Sequence, residues 1–312
     1  MITKKHIVLA FAVALTGLGH LNAAPLQIVS YNVENLFYPT HDSLKDDVEW
    51  TPEGERHWSY TRYYRKVENI ARVLTNIGEW NGADIVGLQE VENALCVKRL
   101  CYTLRRNEYD FVHYDSPDRR GIDVALIYKK ARIDTLLTKA IRVDLTPEFT
   151  RDILYVCALA DKRDTIHLFV CHMPSQRGGS AETEWKRERA KQVLQSAIDS
   201  ILTADGHANI VVMGDMNSAP KEDIAGLSNK MKKESLKKRG THKYQGRWTC
   251  LDQFYTSAPL DSLSEARIYD AEWIQETDEK YMGLKPFRTY NGFHYRNGYS
   301  DHLPIILEVM LR

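Results

Sequence analysis

Five apolar runs in this chain are each bordered by side chains able to bind a cation or move a proton. Asn32 and Glu34 follow LQIVSY, Gln89 and Glu90 follow DIVGL, His172 follows IHLFVC, and Asp215 and Asn217 follow IVVMG; Asp301 and His302 stand just before the last run. Taken singly, an Asn or Asp after a strand is a turn or capping residue. Five strand ends in succession are better explained by convergence on one rim of an α/β scaffold, where loops carry the chemistry. The donors on offer are carboxylates, amides and imidazoles, with no thiolate among them, which suits Mg²⁺, Mn²⁺ or Ca²⁺ better than zinc.

The elements that must position these groups alternate along the chain. Leu26–Tyr31 and Asp84–Leu88 have the length and β-branched content of buried strands, and Val67, Ile70, Ala71, Leu74 and Ile77 recur between them at helical spacing. A second helical pattern spans Glu92–Arg106. Strands are expected around Phe111, at Ile122–Tyr128, at Ile153–Leu159 and at Ile166–Cys171. Helix Glu184–Leu202 then leads into a strand at Ile210–Met213, and Leu303–Leu311 forms the last strand. With no linker, repeat or low-complexity tract in evidence, residues 24–312 read as one domain. The basic run Lys230–Arg239 reads as a solvated helix face or loop.

The first residues read as a targeting segment. Lys4 and Lys5 precede an apolar run, Ile7–Leu18, and small residues follow at Ala23 and Ala24, the layout of a secretory signal peptide. Cleavage after Ala23 avoids leaving Pro25 at the first mature position, so residues 1–23 are expected to be removed and the protein to be secreted or periplasmic. The run is shorter than the roughly 20 apolar residues a membrane span requires, so no stable membrane insertion is expected. Without Lys4 and Lys5, 40 basic residues face 42 acidic ones, a net charge of −2. No global field draws the protein to polyanions, and an anionic substrate must be gripped locally. The five cysteines (96, 101, 157, 171 and 250) show no zinc spacing, and most read as buried small hydrophobes.

The ordered segments SYNVENL, GLQEVEN, RRGIDVALIY, VCHMPS, VVMGDMNSAP, WTCLDQF and YSDHLPI resemble the endonuclease/exonuclease/phosphatase family, which includes deoxyribonuclease I, exonuclease III-like enzymes, neutral sphingomyelinases and inositol polyphosphate phosphatases. The resemblance runs from Ser30 to Ile305. It implies an α/β fold, a four-layer α-β-β-α sandwich with two central mixed sheets flanked by helices, and Mg²⁺-dependent cleavage of a phosphoester, with Mn²⁺ or Ca²⁺ as alternative ions.

Carried over by motif, Glu90 resembles the principal metal ligand, with Asn32 beside it and Asp301 completing the metal or water shell. Asp215 resembles the carboxylate that orients or deprotonates the attacking water, and Asn217 the amide that holds water or phosphate. His302 resembles the imidazole on the scissile phosphate, with Asp252 fixing its tautomer and raising its pKa. His172 resembles a second histidine, a candidate acid toward the leaving oxygen, which Asp123 is expected to orient. Arg120, ahead of Asp123, suits a phosphate clamp because its planar fork matches two phosphate oxygens. The expected activity is that of a monomeric phosphodiesterase acting on nucleic acid. A lipid phosphodiesterase of sphingomyelinase type or a phosphatase on a small phosphoester is the alternative. WTCLDQF stands where inositol phosphatases carry a CDR triplet, which argues against that branch. The absence of an obvious exposed apolar hairpin argues against a lipid substrate. A non-catalytic binding protein on the same fold would be expected to have lost site residues, and Glu90, Asp215, Asn217, Asp252 and His302 are all present.

Overall fold

The computed structural model describes residues 24–79, 82–105, 107–220 and 224–311; the expected signal peptide, residues 1–23, lies outside them. The chain begins with strands β1 (Leu26–Leu36), β2 (Ile85–Val91), β3 (Tyr109–His113) and β4 (Asp123–Lys129), followed by β5 (Ile133–Ile141), β6 (Ile153–Ala160), β7 (Asp164–His172), β8 (Asn209–Asp215) and β9 (Leu227–Asn229). A hairpin, β10 (His242–Tyr244) with β11 (Arg247–Thr249), precedes β12 (Asp252–Ser257) and β13 (Ser264–Ile268). Two more hairpins, β14 (Gln275–Thr277) with β15 (Leu284–Pro286) and β16 (Tyr290–Asn291) with β17 (His294–Tyr295), lead to β18 (Ile305–Val309). Three long helices intervene: α1 (Tyr60–Ile77), α2 (Ala94–Arg105) and α3 (Glu184–Ala204).

Two six-stranded mixed sheets result, ordered β13-β18-β1-β2-β4-β3 and β5-β6-β7-β8-β12-β9. At the heart of each lies one parallel pair, β1 with β2 and β7 with β8. Side-chain alternation explains the layers. Along β7 and β8, Ile166, Leu168, Val170, Val211 and Met213 join the core shared with the first sheet, while Phe169, Cys171, Ile210 and Val212 face α3 through Ala190, Leu194 and Ile198. With both faces covered, these strands read as unbroken apolar runs. The outer face of the first sheet is covered by α1 and α2, whose Val67, Ile70, Leu74, Val97 and Leu100 are buried in that core. Ser59 caps α1 by accepting from the Arg62 N–H. The sheets meet closely at Gly87, where a Cβ would stand 2.6 Å from the Met213 sulfur.

The expected four-layer sandwich is what the structure shows. Strand β5 was not anticipated: it lies at the sheet edge with Leu136 and Leu137 exposed, so its apolar residues lack a buried strand's pattern. All five cysteines are free thiols, four of them buried. Lys232–Leu236 is a short helix with Lys233, Lys237 and Lys238 exposed, as expected for a solvated basic run.

Candidate active site

The C-terminal ends of the two parallel pairs face one rim and bring together residues distant in sequence. From the first sheet, β1 supplies Asn32, and β2 supplies Glu90 at an irregularity where the pairing with β4 skips from Gln89 to Val91. Glu90 has a φ of 64°, so the bulge re-aims a side chain that a regular strand would turn elsewhere. From the second sheet, His172 and Asp215 stand directly opposite each other at the ends of β7 and β8. Gly214 makes this possible: its φ is 141°, and a Cβ there would lie 1.9 Å from the Cys171 carbonyl oxygen.

Asp215 is the hub. Its Oδ1 accepts the Asn217 N–H at 2.9 Å, and its Oδ2 accepts from Asn32 Nδ2 at 3.2 Å. The same Oδ2 lies 3.7 Å from His172 Nε2 and 3.8 Å from His302 Nε2. Asn32 Nδ2 also reaches Glu90 Oε1 at 3.5 Å, and His172 Nε2 lies 3.9 Å from that oxygen. His302 Nδ1 meets Asp252 Oδ2 at 2.7 Å. Ser300 fixes this loop to β1, donating to the Asn32 carbonyl at 2.6 Å while accepting from the His302 N–H. Asn217, φ 48°, donates its side-chain amide to the Met173 carbonyl at 2.9 Å.

The two imidazoles sit in opposite charge states. Burial opposes a charge on His302, but Asp252 and Asp215 outweigh it and hold the ring's pKa well above its ordinary value. Burial lowers the pKa of His172, and Arg151, Arg120 and the His302 cation lower it further. His172 is therefore neutral. With Nε2 facing two carboxylates and Nδ1 buried without a hydrogen-bond partner, the Nε2–H tautomer is the one its surroundings favour. It enters as a hydrogen-bond donor, whereas His302 carries the transferable charge. Burial raises Asp215 to about 6, against the opposing pull of His302.

Other expected site residues take different places. Arg120 donates through Nη2 to Asn35 Oδ1 at 2.8 Å, and the Asn35 N–H donates to Glu90 Oε2 at 2.9 Å, so Arg120 stands one residue from Glu90. Asp301, expected beside the metal, gives its Oδ2 to Arg288 Nη2 at 2.8 Å; the guanidinium outweighs burial and draws its pKa down to about 2. Its charge is already matched by a cation, which makes it a poor ligand. Asp123 does not orient His172: it accepts from the Ser116 N–H and hydroxyl and faces His113, and His172 Nδ1 has no partner.

Sequence reasoning missed the cations behind the rim. Arg288 spans Asp301 and Glu34, and buried Lys66 donates to Thr289 Oγ1 at 2.5 Å and to the Tyr299 carbonyl at 2.6 Å, tying α1 to the loop before His302. Burial brings Lys66 down to about 8, even with Glu34 at 3.8 Å. Arg151 links Asp118 to the Met173 carbonyl, joining the Arg120 loop to β7. Lys66 lies inside a helix and Arg288 among short strands, so neither borders an apolar run as the rim residues do.

A model of the endonuclease/exonuclease/phosphatase family matches residues 27–311. The chain belongs to that family. No curated protein matches it in sequence. Among solved structures, truncated TDP2 from Caenorhabditis elegans is 16% identical with a TM-score of 0.59, covering 92% of this chain and 98% of that one. The catalytic domain of human Nocturnin, solved with a sulfate anion, is 16% identical with a TM-score of 0.56 and covers 91% and 93%. A mannosyl-6-phosphatase from Bacteroides thetaiotaomicron is 14% identical with a TM-score of 0.54, covering 92% of this chain and all of that one. At such identities the likeness is one of fold. As a member of the endonuclease/exonuclease/phosphatase family the chain is a metal-dependent hydrolase of phosphoester bonds, which sets aside a purely binding role.

The donor set fits a divalent cation. Glu90 and Asp215 share the amide of Asn32, and among the described residues no lysine or arginine lies within ion-pair distance of either. Glu90 and Asn32 would hold the ion, with Asp215 alongside. No helix among the described residues is long and apolar enough to cross a membrane.

Proposed function

We propose that the chain is a secreted, Mg²⁺-dependent phosphodiesterase acting on nucleic acid, residues 1–23 being a cleaved signal peptide and 24–312 a single monomeric hydrolase domain. The observation that carries the chemistry is the Asp215 carboxylate oxygen shared by Asn32, His172 and a cationic His302 backed by Asp252. A bound divalent ion supplies charge to the phosphoryl oxygens and lowers the pKa of water. Asp215, at about 6, is ionised at neutral pH and takes the proton of the attacking water. His302 presents Nε2–H to the oxygen on which charge develops and can give that proton to the leaving group, while Asp252 holds the ring in place. His172 donates through Nε2–H, the second amide hydrogen of Asn217, without a partner among the described residues, is free for water or phosphate, and Arg120 supplies a fork for a non-bridging oxygen.

Nucleic acid is favoured by the cleft that opens beside His302. About 420 Å³ in volume, it is lined by His242, Tyr244, Lys285, Arg288 and Arg296 among others. Glu276, Asp278, Glu279 and Asp301 line the same groove, where Glu276 pairs with Lys285 and Arg296, Asp278 with Lys243 and Asp301 with Arg288. Its support for nucleic acid therefore lies in the exposed Tyr244 and in guanidinium groups that can exchange a carboxylate for a phosphate. A lipid phosphodiesterase is a second reading with its own support. The hairpin tips missing from the sequence reading exist: Phe293 at the β16–β17 turn is 61% exposed and Met282 between β14 and β15 is 80% exposed. Met282 stands between the exposed Tyr281 and Leu284, whereas Phe293 is a single apolar residue between Gly292 and His294.

Purified protein lacking residues 1–23 would be assayed with Mg²⁺ on single-stranded DNA, duplex DNA, RNA, sphingomyelin vesicles and a sugar phosphate. Preferential cleavage of oligonucleotides is expected. Turnover confined to vesicles would establish the lipid reading, and release of phosphate from monoesters alone would refute both.

A further inference from the structure

Asp123, which does not reach His172, belongs to a cluster of its own. β3 ends at His113 and β4 begins at Asp123; the register pairs His113 with Ala125, so Asp123 is its diagonal neighbour on the same face. The Asp123 carboxylate is fixed by Ser116, whose N–H and hydroxyl both donate to Oδ1. Its other oxygen, Oδ2, is buried and accepts from nothing. Facing it at 3.6 Å is Nε2 of His113, a side chain only 3% exposed, and that nitrogen is also buried without a hydrogen-bond partner. Asp115, 79% exposed at the side chain, brings a carboxylate oxygen to 4.0 Å from the other ring nitrogen. One donor atom from each of His113, Asp115 and Asp123 lies within 4.8 Å of the other two.

Two buried polar atoms aimed at each other without bonding need an explanation, because such groups are nearly always satisfied. A separation of 3.6 Å is long for a hydrogen bond. It is close to the spacing of about 3.4 Å between neighbouring ligands of a tetrahedral ion with bonds near 2.0–2.1 Å. The hydrogen bonds from Ser116 orient Asp123 as outer groups orient metal-binding carboxylates. We propose that His113, Asp115 and Asp123 form a second cation site, separate from that at Glu90 and suited to a divalent transition metal such as zinc. One imidazole with two carboxylates favours such an ion over Mg²⁺ or Ca²⁺. An ion on Nε2 takes Asp123 directly, and exposed Asp115, now 4.0 Å from Nδ1, turns in from the solvent side to complete the shell. Occupation clasps both ends of the 114–122 connection, which carries Asp118, the anchor of Arg151, and Arg120.

The test is zinc binding by equilibrium dialysis to the protein lacking residues 1–23 and carrying Glu90→Gln, which weakens the catalytic site. One equivalent is expected to remain, and adding His113→Gln is expected to raise its dissociation constant at least about tenfold. Asp115→Asn, at an exposed position that cannot unfold the chain, is expected to weaken binding severalfold. X-ray absorption of the zinc-loaded Glu90→Gln protein is expected to show one imidazole and only oxygen otherwise. Zinc binding unaffected by both substitutions, no retained equivalent, or a shell with two imidazoles or a thiolate would overturn the proposal.

Discussion

Replacing Asp252 by Asn keeps the side chain's shape and removes one negative charge from between two groups the mechanism uses. Asp252 attracts the His302 cation across 2.7 Å and repels the ionised form of Asp215, so its charge raises both pKa values. Two unit charges at that distance interact by about 6 kcal/mol at an effective dielectric of about 20, an upper bound before desolvation is counted. A neighbouring carboxylate in practice moves a pKa by about 1–3 units. Both limbs of a bell-shaped pH–rate profile are therefore expected to slide toward acid in Asp252→Asn, the basic limb (His302) by about 1–3 units and the acidic limb (Asp215, about 6 in the wild type) by less. Above neutral pH, turnover then falls about 10- to 1000-fold, in step with the lost His302 cation. The new amide must offer its oxygen to Nδ1–H and place its NH₂ where Asp252 Oδ1 now lies buried without a partner, at a cost of about 1–3 kcal/mol. The assay is kcat from pH 5 to 9 at saturating Mg²⁺, with a melting curve as control. A basic limb coincident with that of the wild type, in a folded variant, would refute the assignment of His302 as the cation that Asp252 sustains.

Three further outcomes follow from the same geometry. Asp215→Asn is expected to fold and bind substrate but lose at least about a hundredfold in turnover; a variant within tenfold of wild type would make Asp215 a turn residue. Chelation is expected to abolish activity and Mg²⁺ or Mn²⁺ to restore it, with Glu90→Gln needing far more metal for half-maximal rate; full activity after exhaustive chelation would remove the ion from the mechanism. Asp301, held at about 2 against an ordinary value near 3.8, contributes about 2 kcal/mol that is fully present above the ordinary value and disappears as pH falls through about 2. Urea melts of Asp301→Asn are therefore expected to show a deficit of about that size at pH 7 that narrows as pH approaches 2, and a deficit independent of pH would exclude the Arg288 pair as its source.

The rim was legible because it follows from periodicity. Apolar runs buried on both faces end where the layers end, so the polar residues after LQIVSY, DIVGL, IHLFVC and IVVMG had to emerge together. The pairing of Asp252 with His302 was also visible, though only through the motifs that carry the family resemblance. What escaped depends on chain paths that no local pattern encodes. The motifs put Asp123 with His172, whereas the pairing of β3 with β4 turns it toward His113. The Arg288–Asp301 pair converts an expected ligand into a positioned counter-charge, and Arg288 lies in a stretch of two-residue and three-residue strands that has no hydrophobic period. Asn35 was overlooked although it lies within SYNVENL, since its part, joining Arg120 to Glu90, exists only after residues 85 positions apart are brought together.

Each sheet contributes half of a circuit. The parallel pair of the first supplies Asn32 and Glu90, that of the second His172 and Asp215, and the contacts of Asn32 with Asp215 and of His172 with Glu90 exist only across the two. Catalysis is consequently a reporter of docking between the layers. During refolding, strand pairing within either sheet can restore its spectroscopic signature without restoring any turnover, and the enzyme becomes competent only when the face carrying Gly87 closes on the one carrying Met213. A change that loosens this contact by a fraction of an ångström would leave each sheet intact while separating the Asn32 amide from Asp215, so activity should be lost before secondary structure under mild denaturation.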